Sequence, residues 1–368
     1  DLVALVQAEV AAAGSPAARI EALNAFKDRE MFRVDMRYIL GEVADFGQFS
    51  AELTDVAEAT LQAAWRLAHE ELIQRYGIPR DANGAECPLA ICALGKFGGG
   101  ELGFASDIEL MFVYDGAGET AGPEIVGVAE FFNKLVDQTV HAVHARRSGV
   151  FQVDLRFRPY GEAGNLAVSL DLFRSYFGPE GAAWPYERQG LVKLRTIAGD
   201  PGFGATLTAL RDELVYRDTP FDVQAMRAMR ERQLRQLVSA GTTNAKFGPG
   251  GVVEIEYLVQ GLQITHGRRF PELRTTNTLD ALAALARAGL LSHGDYRGLR
   301  DAYIFHRRLI DGLRVVRGHA KDLTVPPADS VEFRFLARRL TYGEDVLRLR
   351  DDLSRHAERV LEIARRVL

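Results

Sequence analysis

Residues 91–115, ICALGKFGGGELGFASDIELMFVYD, constrain the fold of this chain more than any other stretch. An apolar run, Ile91 to Leu94, enters a glycine-rich turn, Gly95-Lys96-Phe97-Gly98-Gly99-Gly100. Ser106-Asp107-Ile108-Glu109-Leu110 follows, and then the apolar Met111-Phe112-Val113-Tyr114. The period in Asp107-Ile108-Glu109-Leu110 is two. On a strand, Asp107 and Glu109 point to one face, Ile108 and Leu110 to the other. Adjacent carboxylates repel unless a cation sits between them, and a divalent ion with hard oxygen ligands, such as Mg²⁺, removes that cost. The glycines carry no Cβ, so phosphate oxygens can approach the turn's backbone N–H groups closely. Taken singly, the first feature is an ordinary turn and the second a solvated strand face. Their order and spacing together are far more specific.

Composition narrows the class. The chain has 368 residues, 47% apolar and 26% charged, which is globular material for roughly two domains with full cores. A net charge of −5 argues against a broad nucleic-acid footprint, though not against a local basic pocket. Cys87 and Cys92 make neither a disulfide framework nor, alone, a four-ligand zinc site, and Cys92 reads as a core residue. Leu2–Ala12 is apolar but holds Gln7 and Glu9 with no basic flank, so neither a signal peptide nor a spanning helix is expected. A reducing cytoplasm fits. Residue 1 is Asp, and the termini are not taken as natural ends.

Residues 1–80 read as helices. One carries Ile20, Leu23, Phe26, Lys27, Glu30 and Met31; a second opens at Ser50-Ala51-Glu52-Leu53 and stops after Tyr76 at Gly77. Asp81-Ala82-Asn83-Gly84 is a turn able to close a hairpin. Residues 116–122 read as a loop and 123–145 as an amphipathic helix. At its end His141, His144, Arg146 and Arg147 read as cations on the helix dipole rather than as ligands. Phe151 to Pro159 alternates as a strand, with Asp154, Arg156 and Arg158 on one face and Val153, Leu155 and Phe157 on the other. It either brings Asp154 to the same metals, with the arginines on phosphate or on the acidic cluster, or it is a salt-bridged edge strand. Ser169 caps a helix. Lys193 and Arg195 either reach a phosphate or face solvent. After Asp200-Pro201-Gly202 the pattern is helical, with segments near 226–237, 252–266, 278–290, 295–317, 329–340 and 345–367 and a loop at 241–251. Val252, Ile255, Val259 and Leu262 form the buried side of the second of these helices. Glu254 and Glu256 diverge by about 200° on a helix and cannot form a metal pair.

The stretch around Gly95 and Asp107-x-Glu109 resembles the nucleotidyltransferase fold of the DNA polymerase β type. There a Gly-Ser or similar pair precedes Asp-x-Asp or Asp-x-Glu on a strand. It is more similar still to the glutamine synthetase adenylyltransferase family, including its adenylyl-removing modules, which carry G-K-L-G-G-x-E-L-x-x-x-S-D-I-D-L. This chain reads Gly95 to Leu102 and then Ser106 to Leu110, departing at Phe97 and at Glu109. Val153 to Pro159 resembles the family's V-D-x-R-x-R-P, and Tyr160 to Gly164 its F-G-x-x-G turn. Trp184 to Arg195 resembles W-E-R-x-x-L-V-K-A-R, disturbed by Pro185 and Tyr186. Lys246 to Gln260 resembles K-x-G-x-G-G-I-x-E-I-E-F-x-V-Q.

The resemblance implies an α+β fold: a polymerase β-like mixed sheet with flanking helices, followed by an all-helical domain. The implied layout is a helical segment at 1–85 packing on a catalytic domain at 86–200, and a helical bundle at 201–368. It implies Asp107, Glu109 and Asp154 as catalytic metal ligands for two Mg²⁺ ions. Gly95, Lys96, Gly98, Gly99, Ser106, Arg156, Arg158 and Lys193 are the implied nucleotide- and phosphate-binding residues. The implied reaction transfers AMP from ATP to a tyrosine of glutamine synthetase, or removes it by phosphorolysis with phosphate consumed and ADP formed. Glutamine synthetase is the implied partner, with a nitrogen-signalling PII-type protein as a further one; no membrane or nucleic acid is expected. Family members usually hold two such modules in one long chain, and this chain holds one. Gly103-Phe104-Ala105-Ser106 leans towards transferring modules, whereas Tyr160-Gly161-Glu162 and Glu254 lean towards removing ones. Two alternatives stand beside this: a nucleotide-binding regulatory module whose site has decayed, hinted at by Glu109, and a nucleotidyltransferase with another target. The presence of Asp107, Asp154 and Lys96 speaks against decay.

Overall fold

The first helices start where short polar side chains can take up orphan amides. Asp1, Ser15 and Asp45 accept from Val3, Ala18 and Gln48 and open α1 (Leu2–Ala11), α2 (Pro16–Ile39) and α3 (Phe46–Tyr76). The third helix therefore begins before Ser50, which lies buried inside it beside Phe46 and Phe49. It ends at Gly77 as the pattern predicts, at φ +78°, where a Cβ would meet the Gly122 backbone. The computed structural model describes residues 1–43, 45–145, 151–217, 221–318 and 322–367. They fall into two units. Asp1–Leu102, Ser106–Ala183 and Lys193–Leu214 form one; Gly103–Ala105, Trp184–Val192 and Val215–Leu368 form the other.

The first unit is built on β1 (Pro79–Asp81), β2 (Leu89–Ala93), the single turn α4 (Gly95–Gly98), β3 (Ile108–Tyr114) and β4 (Gly118–Thr120). Then come α5 (Val128–Ala142), β5 (Val153–Asp154), β6 (Ala167–Ser169) and α6 (Leu170–Phe177). The short α7 (Pro185–Gly190) belongs to the other unit, and β7 (Arg195–Gly199) and α8 (Pro201–Val215) follow it. The main sheet has the order β5-β3-β2-β7. Strand β2 is antiparallel to both β3 and β7, while β5 and β6 lie parallel to β3 on its other side. Both faces of β2 and β3 are covered, so nearly every residue there is apolar and buried.

Three local expectations change. Residues 116–122 are not all loop, because β4 pairs with β1. The Asp81 carboxylate caps the Asn83-Gly84 turn, accepting from Asn83 and Ala85 at 2.9 Å. The helix expected from 123 starts at Val128: Thr120 exchanges bonds with Val126 through its amide and hydroxyl (2.9 and 3.0 Å), which holds that segment extended, and Ile125 is exposed. Within α5, His141 faces Asp137 at 3.2 Å, and the His144 carbonyl beyond it accepts from Lys27. Arg146 and Arg147 lie outside the described residues. The strand expected over 151–159 is only Val153–Asp154. The Asp154 carboxylate captures the Arg156 amide at 2.8 Å, a side-chain turn that competes with the ladder and ends it. Arg156 and Arg158 thus share no strand face with Asp154.

The second unit holds α9 (Val223–Leu237), α10 (Val252–His266), α11 (Thr278–Arg287), α12 (His293–Arg317), α13 (Val331–Arg339) and α14 (Val346–Val367). The expected helices are all present. Side chains of Asn277, Ser292 and Ser330 cap three of them, and α11 stops short of 290 because Gly289 turns at φ +71°. Val252, Ile255, Val259 and Leu262 are buried as read, packed with Leu285, Tyr303, Leu313, Leu336 and Ile363. Glu254 pairs with Arg230 at 3.0 Å. Among the described residues no helix is long and apolar enough to cross a membrane. The whole is α+β: a mixed sheet with flanking helices, followed by helices alone.

One buried group in α12 gives the helical unit a pH dependence. His306 is 2% exposed, and burial, reinforced by His356, pushes its pKa down from 6.5 to about 4. The unfolded chain binds the proton more readily, so stability is complete above pH 6.5 and declines as pH falls towards 4. The expected loss is about 2 kcal/mol between pH 7.5 and 5. Denaturant titrations at the two pH values should show it, and His306→Gln should reduce the difference by that amount.

Candidate active site

The glycine turn is closed on itself. Amides of Gly98, Gly99, Gly100 and Glu101 donate to the carbonyls of Leu94, Gly95, Phe97 and Lys96 at 2.7–3.1 Å. The amides of Gly98 and Gly99, expected to face a phosphate, are therefore engaged by the chain. The glycines are required by close approach. Gly95 sits at φ +52° with the Glu109 carboxylate 1.7 Å from where a Cβ would stand; at Gly98 the Lys193 carbonyl is 1.8 Å from that position. Phe97 is wholly buried beneath the turn.

Two cations brace it. Lys193 neither faces solvent nor stands open: it pairs with Glu101 at 2.8 Å, the side chains 7% and 5% exposed. Arg195 donates to the carbonyls of Gly98 (3.0 Å) and Phe97 (3.2 Å) and pairs with Glu58 at 2.5 Å. Sequence reasoning missed Glu101 and Glu58. Glu101 stood inside the motif, and an acid in a turn meant for phosphate was a signal that some cation must answer it. Glu58, one exposed-looking acid of a long helix, gave none.

Glu109 and Asp154 lie on neighbouring strands, and Asp107 just precedes the first of them. In the parallel register of β3 and β5, Ile108 stands opposite Val153 and Glu109 opposite Asp154. Glu109 is half-buried over Gly95, Asp107 is exposed immediately before β3, and Ser106 is buried. Asp154 is held by Arg156, whose guanidinium approaches to 2.6 Å. Burial alone would push the Asp154 pKa up, but the hydrogen bonds and charge of Arg156 outweigh it, and the carboxyl sits below its ordinary range. Arg158 is buried and donates to the carbonyls of Leu155 and Gly164, so it braces the 155–164 turn. Among the described residues no three His, Cys, Asp or Glu side chains are gathered closely enough to hold a metal ion. The donor set still suits a hard divalent cation. The Arg156 side chain is 72% exposed and that of Asp154 17%, so the pair opens to solvent on the arginine side.

Gly103–Ala105, which precede Ser106 in the chain, belong to the helical unit. There the Phe104 amide donates to Asp311 (3.1 Å) and its carbonyl accepts from Arg314 (2.7 Å). A Cβ on Gly103 would stand 2.6 Å from the Asp311 carboxylate. Arg307, 1% exposed, bonds the Tyr303 hydroxyl at 2.9 Å. Ala105 then turns at φ +52° into Ser106. None of Arg307, Asp311 and Arg314 was legible as part of this arrangement, since they lie some two hundred residues away in the chain.

A mixed sheet bearing a glycine turn and acids on adjacent strands, followed by helices, is the arrangement of a nucleotidyltransferase. Residues 2–210 match the family model described as glutamate-ammonia ligase adenylyltransferase, and residues 224–368 match that described as GlnD PII-uridylyltransferase. The chain belongs to the glutamate-ammonia ligase adenylyltransferase family. It is similar to bifunctional glutamine synthetase adenylyltransferase/adenylyl-removing enzymes. That of Stenotrophomonas maltophilia (strain K279a) is 37% identical over 84% of this chain and 33% of the relative. That of Thioalkalivibrio sulfidiphilus is 32% identical over 98% and 37%, and that of Aromatoleum aromaticum 36% over 73% and 29%. The chain thus spans about a third of the length of the curated relatives it matches.

Proposed function

We propose that this chain is a metal-dependent nucleotidyltransferase module that moves AMP onto or off a tyrosine of glutamine synthetase. The observation that carries the reading is the register that sets Glu109 beside Asp154, in a chain of this family. Asp107, Glu109 and Asp154 hold the divalent ions. Bound there, Mg²⁺ supplies charge neutralisation at the reacting phosphorus and lowers the pKa of the attacking hydroxyl. Lys96, Gly95, Gly98, Gly99 and Ser106 border the nucleotide phosphates, and Arg156, once off Asp154, turns to them. Lys193 and Arg158 act by keeping the two turns in shape. In transfer, the tyrosine oxygen attacks the α-phosphorus of ATP, the bond to the β-phosphate oxygen breaks and pyrophosphate leaves. In removal, an oxygen of inorganic phosphate attacks the phosphorus of AMP-tyrosine, the bond to the tyrosine oxygen breaks, and ADP leaves with the tyrosine restored. The match of residues 224–368 supports a PII-type protein as regulatory partner. The two buried, unlinked cysteines are in keeping with a reducing cytoplasm.

The test incubates the chain with Mg²⁺ and either ATP plus unmodified glutamine synthetase, or phosphate plus the adenylylated form. Mass spectrometry follows the tyrosine peptide. Gain of AMP in the first mixture identifies a transferase, and loss with ADP formed in the second a remover. No change in either would overturn the reading.

A further inference from the structure

The helical unit carries a cavity of about 510 Å³ lined by α12, the residues after α13 and α14. Its charge is one-sided. Arg300, Arg308, Arg348 and Arg355 face one acid, Asp301. Elsewhere on these helices arginines find carboxylates: Arg317 takes Glu332, Arg359 takes Glu362, and Arg359 and Arg366 share Asp295. In the cavity, Arg300 pairs with Asp301 and Arg355 with Asp352. Arg308 and Arg348 have no carboxylate partner among the described residues, and Arg348 lies over the Tyr342 ring at 5.8 Å. Two of the four arginines that line this concavity, Arg308 and Arg348, thus carry charge that no acid among the described residues answers.

The rest of the lining includes three rings, Phe305, Tyr342 and His356, with Ile304, Leu340 and Thr341. Phe305 stacks on His356 with centroids 4.5 Å apart, beside the buried Leu340. Burial lowers the His356 pKa, with Arg355 adding to the effect, so the imidazole is neutral at pH 7 and serves as a ring surface. The Tyr342 hydroxyl donates to Asp352 at 2.7 Å, which fixes that ring. At the cavity edge Thr341, a β-branched residue, is held at φ +68°. Such strain persists only where the surroundings impose it, and it clusters at ligand sites.

We propose that this cavity binds a nucleoside di- or triphosphate. Arg308 and Arg348, with Arg300 and Arg355 at the sides, take the phosphate oxygens, for which the planar guanidinium fork is suited. The Phe305–His356 pair and Tyr342 receive the base. The volume lies within the range of small-ligand pockets. No residue of this cavity belongs to the candidate active site, so the ligand is an effector of the helical unit and its binding needs no divalent ion.

The experiment uses the whole chain in EDTA, with labelled ATP in equilibrium dialysis and 8-azido-ATP for photolabelling and peptide mapping. The label is expected in peptides spanning 300–308 or 340–356. Arg308→Ala with Arg348→Ala should weaken binding at least about tenfold and remove that label with the melting temperature unchanged. The paired lysine variant should recover only part of the affinity, because an ammonium keeps the charge without the fork. Label confined to peptides outside the cavity, or unchanged binding in both paired variants, would overturn the proposal. Pyrophosphate or an acidic peptide competing as well as ATP would overturn the assignment to a nucleotide.

Discussion

Asp107→Asn should reduce AMP transfer or removal by about 10²–10³-fold, the scale on which enzymes lose rate when one charge-stabilising group is deleted. The fold should survive, because Asp107 is exposed and lies just outside β3. The substitution keeps shape and removes the charge that attracts the cation, so melting temperature stays while turnover falls. Glu109→Asp should be much milder: the charge remains and the carboxylate retreats by one methylene. A Glu109→Asp variant as inactive as Asp107→Asn would mean that reach, not charge, governs that position. The readout is the adenylylated-peptide assay, with circular dichroism melting as the control for folding.

The largest stability effect is expected at Lys193. Lys193→Met leaves Glu101 buried without its cation, a situation that typically costs about 3–5 kcal/mol. The same substitution combined with Glu101→Leu should recover most of that loss, since two apolar groups of similar volume replace a desolvated pair. Urea unfolding of the two single variants and the double variant gives the coupling directly. If Lys193→Met were neutral, Lys193 would have to be serving a ligand rather than Glu101. Because Glu101 closes the glycine turn and Lys193 is paired with it, the destabilisation should carry into the turn and lower nucleotide affinity as well.

Much of the fold was legible because its signals are local. The periodicity of 252–266 yields α10 to the residue, and the alternation of Asp107 to Leu110 marks the start of β3, where Ile108 and Leu110 are buried and Glu109 half-buried. Caps at Ser169 and Gly77 act within a few residues of themselves. What misled was local competition between side chain and backbone. Asp154 takes the Arg156 amide, so an alternating nine-residue pattern becomes a two-residue strand. Thr120 does the same to residues 124–126, delaying α5. The candidate site divides along the same line. The alternation around Glu109 and around Asp154 is local, and the two residues stand opposite one another in the register of β3 and β5. The groups that shape the turn, Glu58, Lys193 and Arg195, reach it from up to 98 residues away. No periodicity records such a contact, and the choice between phosphate and solvent for Lys193 omitted a buried acid.

In the proposed function, Glu109 on β3 and Asp154 on β5 share a divalent ion. Fe²⁺ in place of Mg²⁺, with ascorbate and peroxide, generates radicals that cut the backbone beside the bound ion. With a non-hydrolysable ATP analogue present, cleavage is expected at two separated segments, around 107–109 and around 153–156. Both cuts should be suppressed by excess Mg²⁺ and lost together in Asp107→Asn with Asp154→Asn. Cleavage at only one of the two segments, cleavage elsewhere in the chain, or a pattern unchanged by the paired substitution would contradict it.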